Sequence, residues 1–190
     1  MVIRILRCRD FKLDLSKRAL VMGVVNVTPD SFSDGGEYLD ADSAYRRALY
    51  LEACGADILD IGGESTRPGA EDVSTAEELK RVIPVIKKLK KKLKIPISID
   101  TRKSAVAEEA LKEGASMVND ITGLLADKNM AGVASKYGAA VVIMHIKGAP
   151  KTMQRAPRYK DLLGEIRSYF KQGILQAKKA GISRNNIVLD

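Results

Sequence analysis

The stretch Ala19-Leu20-Val21-Met22-Gly23-Val24-Val25 runs directly into Asn26-Val27-Thr28-Pro29-Asp30-Ser31-Phe32-Ser33-Asp34-Gly35-Gly36. The first half is short, apolar, rich in β-branched residues and bounded by turn formers, so it reads as a buried strand. The second half cannot extend that strand or open a helix cleanly, because Pro29, Gly35 and Gly36 interrupt it. A buried strand that ends in a loop of Asn, Thr, Asp and Ser is how an α/β protein presents chemistry.

The same pattern recurs along the chain. A segment of helical character ends at Gly-Ala or Gly-Ile, an apolar run follows, and a polar residue closes it. Gly55-Ala56 leads to Asp60, Gly114-Ala115 to Asn119-Asp120, Gly138-Ala139 to His145, and Gly181-Ile182 to Asp190. Glycine just past a helix suits a left-handed C-terminal cap. Helices are expected over 41–53, from the Ser74-Thr75-Ala76-Glu77 capping box onward with a disturbance at Pro84, over 103–113, 127–136 and 159–180. With Ile95-Pro96-Ile97-Ser98-Ile99 before Asp100, strands are expected to end near Asn26, Asp60, Asp100, Asn119, His145 and Asp190. Strands alternating with helices require parallel pairing. Polar residues at every strand's C-terminal end favour a (β/α)8 TIM barrel over a doubly wound sheet. A full barrel takes about 250 residues. The α/β fold expected over residues 1–190 is therefore one TIM-barrel domain, truncated after about six β/α units and incomplete at the C-terminus.

Composition narrows the class. No apolar run approaches the ~18 residues of a membrane span, and arginines interrupt the N-terminus too often for a signal-peptide core. The two cysteines, Cys8 and Cys54, suit reduced thiols in a cytoplasmic protein, and neither has zinc-ligand spacing. The net charge of +8 sits largely at Lys87, Lys88, Lys90, Lys91, Lys92 and Lys94. Apolar residues recur between them at helical spacing, from Leu79 and Val82 to Leu89 and Leu93, so these lysines read as the wet face of a helix, with no nucleic-acid partner. A positive surface also helps capture an anionic small molecule.

A second distinctive segment is Asp60-Ile61-Gly62-Gly63-Glu64-Ser65-Thr66-Arg67-Pro68-Gly69. Its glycines allow close backbone approach, and the guanidinium of Arg67 matches phosphate oxygens. It lacks the Gly-Lys-Ser/Thr ending of a nucleotide P-loop. Taken with Met22 to Gly36, Ser98-Ile99-Asp100-Thr101, Val118-Asn119-Asp120-Ile121, and Met144-His145 followed by Gly148-Ala149-Pro150-Lys151-Thr152-Met153-Gln154, it resembles the dihydropteroate synthases of the pterin-binding barrel family. The resemblance runs through essentially the whole chain in the family's order.

That resemblance implies condensation of 6-hydroxymethyl-7,8-dihydropterin diphosphate with 4-aminobenzoate, giving 7,8-dihydropteroate and pyrophosphate in folate biosynthesis. It implies that Asn26 associates with Mg2+ at the diphosphate, an amide oxygen being suited to a hard cation. Arg67 is implied as the diphosphate contact, Thr66 as a substrate contact, and Asp100 and Asn119 as the pair holding the pterin. Asp190 is implied as the deep acid under the pterin edge and Met144 as packing near the ring. Phe32 and Pro68 belong to loops that close over aminobenzoate in the family, with Asp34 organising them. Arg67 and Asp100 are the residues expected to carry catalysis. Asp60, Glu64 and Asp120 read as residues that orient neighbours, and His145, the sole histidine, as a packed side chain.

The family's later segments, Pro-Gly and Gly-Phe-Gly-Lys, then Ser-Arg-Lys and Arg-x-His strand ends, are not in this sequence. The first and sixth expected strands are then left as sheet edges. The resemblance implies little or no synthase activity from these residues alone, and a homodimer for a full-length parent. Two other classes carry weaker signals: a methyltetrahydrofolate–corrinoid methyltransferase relative, which lacks the two long motifs, and a non-catalytic binding module, for which only net charge speaks.

Overall fold

The computed structural model describes residues 4–28, 37–65, 72–148, 153 and 156–190. An antiparallel hairpin comes first, β1 (Ile5–Cys8) and β2 (Phe11–Asp14). Then β3 (Met22–Asn26), α1 (Glu37–Ala53), β4 (Ile58–Gly62), α2 (Thr75–Lys90), β5 (Ile97–Asp100), α3 (Ser104–Glu113), β6 (Met117–Asp120), α4 (Met130–Lys136), β7 (Ala140–Ile143), α5 (Leu162–Lys179) and β8 (Ile187–Leu189) follow. The six strands β3 to β8 form one parallel sheet in sequential order. That is the order of consecutive units of a (β/α)8 barrel, and it excludes the strand-order reversal of a doubly wound sheet. Among the described residues, β3 and β8 are the edges of this sheet, as expected.

Alternation along each strand sends its residues to two environments. Val25, Ile61, Ile99, Val118 and Val141 are in register with their neighbours and bury against the helices. The helices return apolar stripes, such as Val82, Val85, Ile86 and Leu89 of α2. On the opposite sheet face Ile58, Met117, Ala140 and Val142 pack with Leu6 and Cys8 of the hairpin. The hairpin therefore plugs the N-terminal end of the barrel wall. Burial pushes the Cys8 thiol up to about 12, so it is an inert packing group there. The hairpin was not among the expected elements, although Ile5 to Cys8 and Phe11 to Asp14 flank a two-residue turn at Arg9-Asp10.

The repeat glycines behave as expected. Gly114 ends α3 with φ of 125°, and Gly55, Gly138 and Gly181 also take positive φ. Ser74 caps α2 by accepting from Glu77 N at 3.2 Å, while the Glu77 carboxylate turns to Arg81 Nε at 3.0 Å. The helix runs unbroken through Pro84, whose residue is exposed, so the carbonyl deprived of its partner is on the wet side. Lys87, Lys88, Lys90, Lys91, Lys92 and Lys94 are all exposed, the solvated face the sequence suggested. Asp127 lies ahead of α4, where its carboxylate accepts from Ser104 N at 2.8 Å at the start of α3.

Arg9 ties the hairpin to the barrel. Its Nη1 donates to Leu111 O at 2.6 Å and Ala115 O at 2.8 Å, carbonyls at the C-terminal end of α3. A cation there also meets the negative end of the helix dipole. Arg9→Ala should lower the melting temperature by several degrees in a calorimetric scan. An unchanged transition would show that the hairpin is held by its apolar contacts and the backbone bond from Arg9 N to Gly138 O.

Candidate active site

Register sets the site. Asn26 is paired with Gly62, Gly62 with Asp100, and Asp100 with Asn119. In-register neighbours of a parallel sheet share a face, so these residues form one row on the inner wall at the strands' C-terminal ends. One step lower, Val24, Asp60, Ser98 and Met117 form a second row. The rows enclose a cavity of about 280 Å³ lined by Val24, Asn26, Asp60, Ser65, Asp100, Asn119, Ile121 and Met144.

Four of the expected site residues, Asn26, Asp100, Asn119 and Met144, therefore converge on one cavity. Asp190 follows β8 with its backbone N donating to Ile143 O at 3.1 Å and its carbonyl accepting from His145 N at 2.9 Å. It is exposed and does not line this cavity. Phe32, Asp34, Thr66, Arg67 and Pro68 lie outside the described residues. His145 packs against the rings of Tyr169, Tyr159 and Phe170, with centroids 5.0, 6.1 and 6.3 Å away, in keeping with a packing role. Asp120 is fully consumed by its own loop: Oδ1 accepts from Thr122 N and Oγ1, and Oδ2 from Leu124 N.

Asp60 is the surprise of the site. It is only 3 % exposed, and its Oδ2 accepts from Asn119 Nδ2 at 2.9 Å. The sequence marks Asp60 as an orienting residue but does not show its partner. The strand-end pattern marks which residues face inward, but a contact reaching across β5 depends on sheet twist.

Behind the wall, Lys103 Nζ bridges Glu64 Oε2 at 2.6 Å and Glu78 Oε2 at 2.5 Å. Arg102 Nη2 adds contacts to Glu64 Oε1 at 3.1 Å and Asp72 Oδ1 at 2.8 Å. Burial alone would raise the Glu64 carboxyl, but Lys103 and Arg102 outweigh it and hold it below the usual range. Glu78 is 0 % exposed, and its Oε1 has no hydrogen-bond partner. Lys103→Met should cost about 3–5 kcal/mol, because it strands buried charge. Urea unfolding measures this, and a loss below 1 kcal/mol would mean the bridge behaves as a surface pair.

The two inner acids resist ionisation. Burial raises the Asp60 carboxyl, opposed by the nearby Ser98 and Asn119 groups. Asp100 keeps part of its surface open to the cavity, yet enclosure of its carboxyl on the protein side raises it well above the ordinary range. The charges of Asp60, Glu78, Asp120 and Glu64 add to that effect. The unfolded chain releases the Asp100 proton near 3.8, whereas the folded chain holds it to higher pH. Above 3.8 the unfolded state thus binds fewer protons, and this residue's contribution to stability falls as pH rises through its folded pKa. Asp100→Asn should therefore stabilise the fold at pH 8, with the gain shrinking toward pH 4, in paired thermal melts. A gain that grows on acidification would contradict the assignment.

A Cβ built on Gly62 would lie 3.4 Å from Asp100 Oδ2 and 3.6 Å from Asn26 Oδ1, so both oxygens lean over this glycine. The Asn26 amide oxygen, facing a polar cavity, fits a hard cation that keeps most of its waters. No group of three or more His, Cys, Asp or Glu side chains among the described residues forms a closed metal cage.

An inward polar row at the C-terminal ends of sequential parallel strands defines a barrel-type α/β protein with a compact polar pocket. The family model for pterin binding enzymes matches residues 22–190, and the chain belongs to that family. It is 49% identical over 177 residues to the dihydropteroate synthase of Synechocystis, covering 93% of this chain and 61% of that protein. The Clostridium difficile dihydropteroate synthase structure with pteroic acid superposes with a TM-score of 0.84 at 53% identity, covering 92% of this chain and 64% of that one. The Xanthomonas albilineans enzyme with 4-aminobenzoic acid gives a TM-score of 0.90 at 41% identity, covering 100% and 66%. The chain thus spans less than two thirds of the length of the first two of these relatives.

Proposed function

We propose that this chain carries the pterin-holding part of a dihydropteroate synthase. The observation behind this reading is the single inward row of Asn26, Asp100 and Asn119, at one cavity, in a chain 49% identical to a synthase. The reaction joins 6-hydroxymethyl-7,8-dihydropterin diphosphate to 4-aminobenzoate. The methylene C–O bond breaks with its electron pair leaving on pyrophosphate, the arylamine nitrogen bonds to that carbon, and the nitrogen loses a proton. An arylamine is neutral at pH 7, so the protein's work is to hold the ring, stabilise the leaving charge and exclude water.

In this reading Asp100 and Asn119 hold the heterocycle and Met144 and Ile121 supply its apolar wall. Asn26 offers its amide oxygen to Mg2+, which would neutralise charge on the departing diphosphate. Thr66 and Arg67 contact substrate and diphosphate, and Phe32 and Pro68 cover the aminobenzoate with Asp34 ordering their loops. A cytoplasmic location, independence of nucleic acid and a homodimeric full-length parent complete the proposal. Among the described residues no helix is long and apolar enough to cross a membrane.

Isothermal calorimetry tests the reading. The chain should bind the pterin diphosphate, and Asn26→Ala should weaken that binding roughly tenfold with Mg2+ present while leaving diphosphate-free 6-hydroxymethylpterin unaffected. Absence of pterin binding would refute it. Residues 1–190 alone should form little dihydropteroate, and steady turnover would contradict that part.

A further inference from the structure

We propose that Asp60 is a positioning residue that locks the Asn119 side-chain amide, so that a bound ring meets a fixed arrangement of the Asn119 oxygen and nitrogen. This deepens the pterin-site reading and rests on it. Three observations carry it. Asn119 is in register with Asp100, but its Nδ2 reaches past β5 to Asp60 Oδ2 on β4, at 2.9 Å. Both residues line the same cavity. Asp60 Oδ1 is buried and has no hydrogen-bond partner.

An unpaired oxygen on a buried carboxyl is destabilising, so the group is kept for what its other oxygen does. A fixed acceptor at Oδ2 adds direction, because the donor side of the Asn119 amide, Nδ2, is the side that pairs with it. Because the amide is planar, committing Nδ2 fixes Oδ1 as well. A free asparagine could turn over and offer either atom to a flat heterocycle, whose edge alternates donors and acceptors. Holding one orientation in advance favours ligands with the matching edge and removes the cost of ordering the side chain on binding.

The test combines a spectroscopic signature with binding. In 15N-labelled chain, the Asn119 amide pair is the side-chain signal missing from Asn119→Asp. One of its protons should be shifted downfield and slow to exchange. Asp60→Ala should collapse that signature to free-amide values and weaken binding of 6-hydroxymethylpterin by roughly 5- to 100-fold by calorimetry. Asp60→Asn, which keeps an acceptor oxygen, should recover most of both. If Asp60→Ala does not fold, the Asp60→Asn spectrum decides: a retained Asn119 signature supports the lock and a lost one overturns it. A folded Asp60→Ala with wild-type affinity, or equal losses in the two variants, also overturns it. A wild-type chain with the signature but no pterin binding contradicts the pterin reading while upholding the lock.

Discussion

Everything at the candidate site depends on the in-register pairing of parallel strands β3 to β6. Side chains alternate with a period of two, so a one-residue slip in any strand would send its polar residue into the helix-facing core and an apolar one into the cavity. Register keeps Asn26, Asp100 and Asn119 on one level and Asp60 one level below. The apolar outward set, Val25, Ile61, Ile99 and Val118, enforces that register, because it must stay against the helices. The core therefore specifies the site geometry without touching a ligand.

The arrangement has a stability cost. Asp60 and Asp100 are both enclosed carboxyls whose surroundings resist ionisation, and the charge of Asp60 adds to the resistance at Asp100. Barrel walls of this kind are usually filled by branched apolar side chains. Here two acids and Ser98 take places that could otherwise hold them, and Ser98 is itself buried without a hydrogen-bond partner. The Lys103 bridge to Glu64 and Glu78 plays the opposite part. It neutralises buried charge outside the wall and fixes the end of β4, next to the cavity-lining Ser65. Polar groups that cost stability inside the wall are thus supported by paired ones behind it.

Much of this was legible in the sequence. Glycine after four of the helices, with short apolar runs each closed by a polar residue, gave the six parallel strands and their sequential order. Those signals are local, residing in φ preference and in alternation. The long motifs around Asn26 and Gly62 gave the family. The β1–β2 hairpin was not legible because Arg7 and Lys12 break its apolar pattern, and it buries Leu6 and Cys8 against barrel residues such as Met117 and Val142. The Asp60–Asn119 contact was not legible because its partners are separated by 59 positions and by an intervening strand. Helix α4 proved shorter than its pattern, since Asp127 serves the first turn of α3 instead.

The central claim is that this inward polar row is where a pterin binds. Its most direct test is to map the ligand-induced changes in the 1H–15N and methyl spectra of the chain on adding 6-hydroxymethylpterin diphosphate with Mg2+. The account predicts the largest shifts at Asn26, Asp100, Asn119, Ile121 and Met144, and none along the lysine-bearing face of α2. Shifts centred on that face, or an undisturbed cavity at saturating ligand, would contradict it.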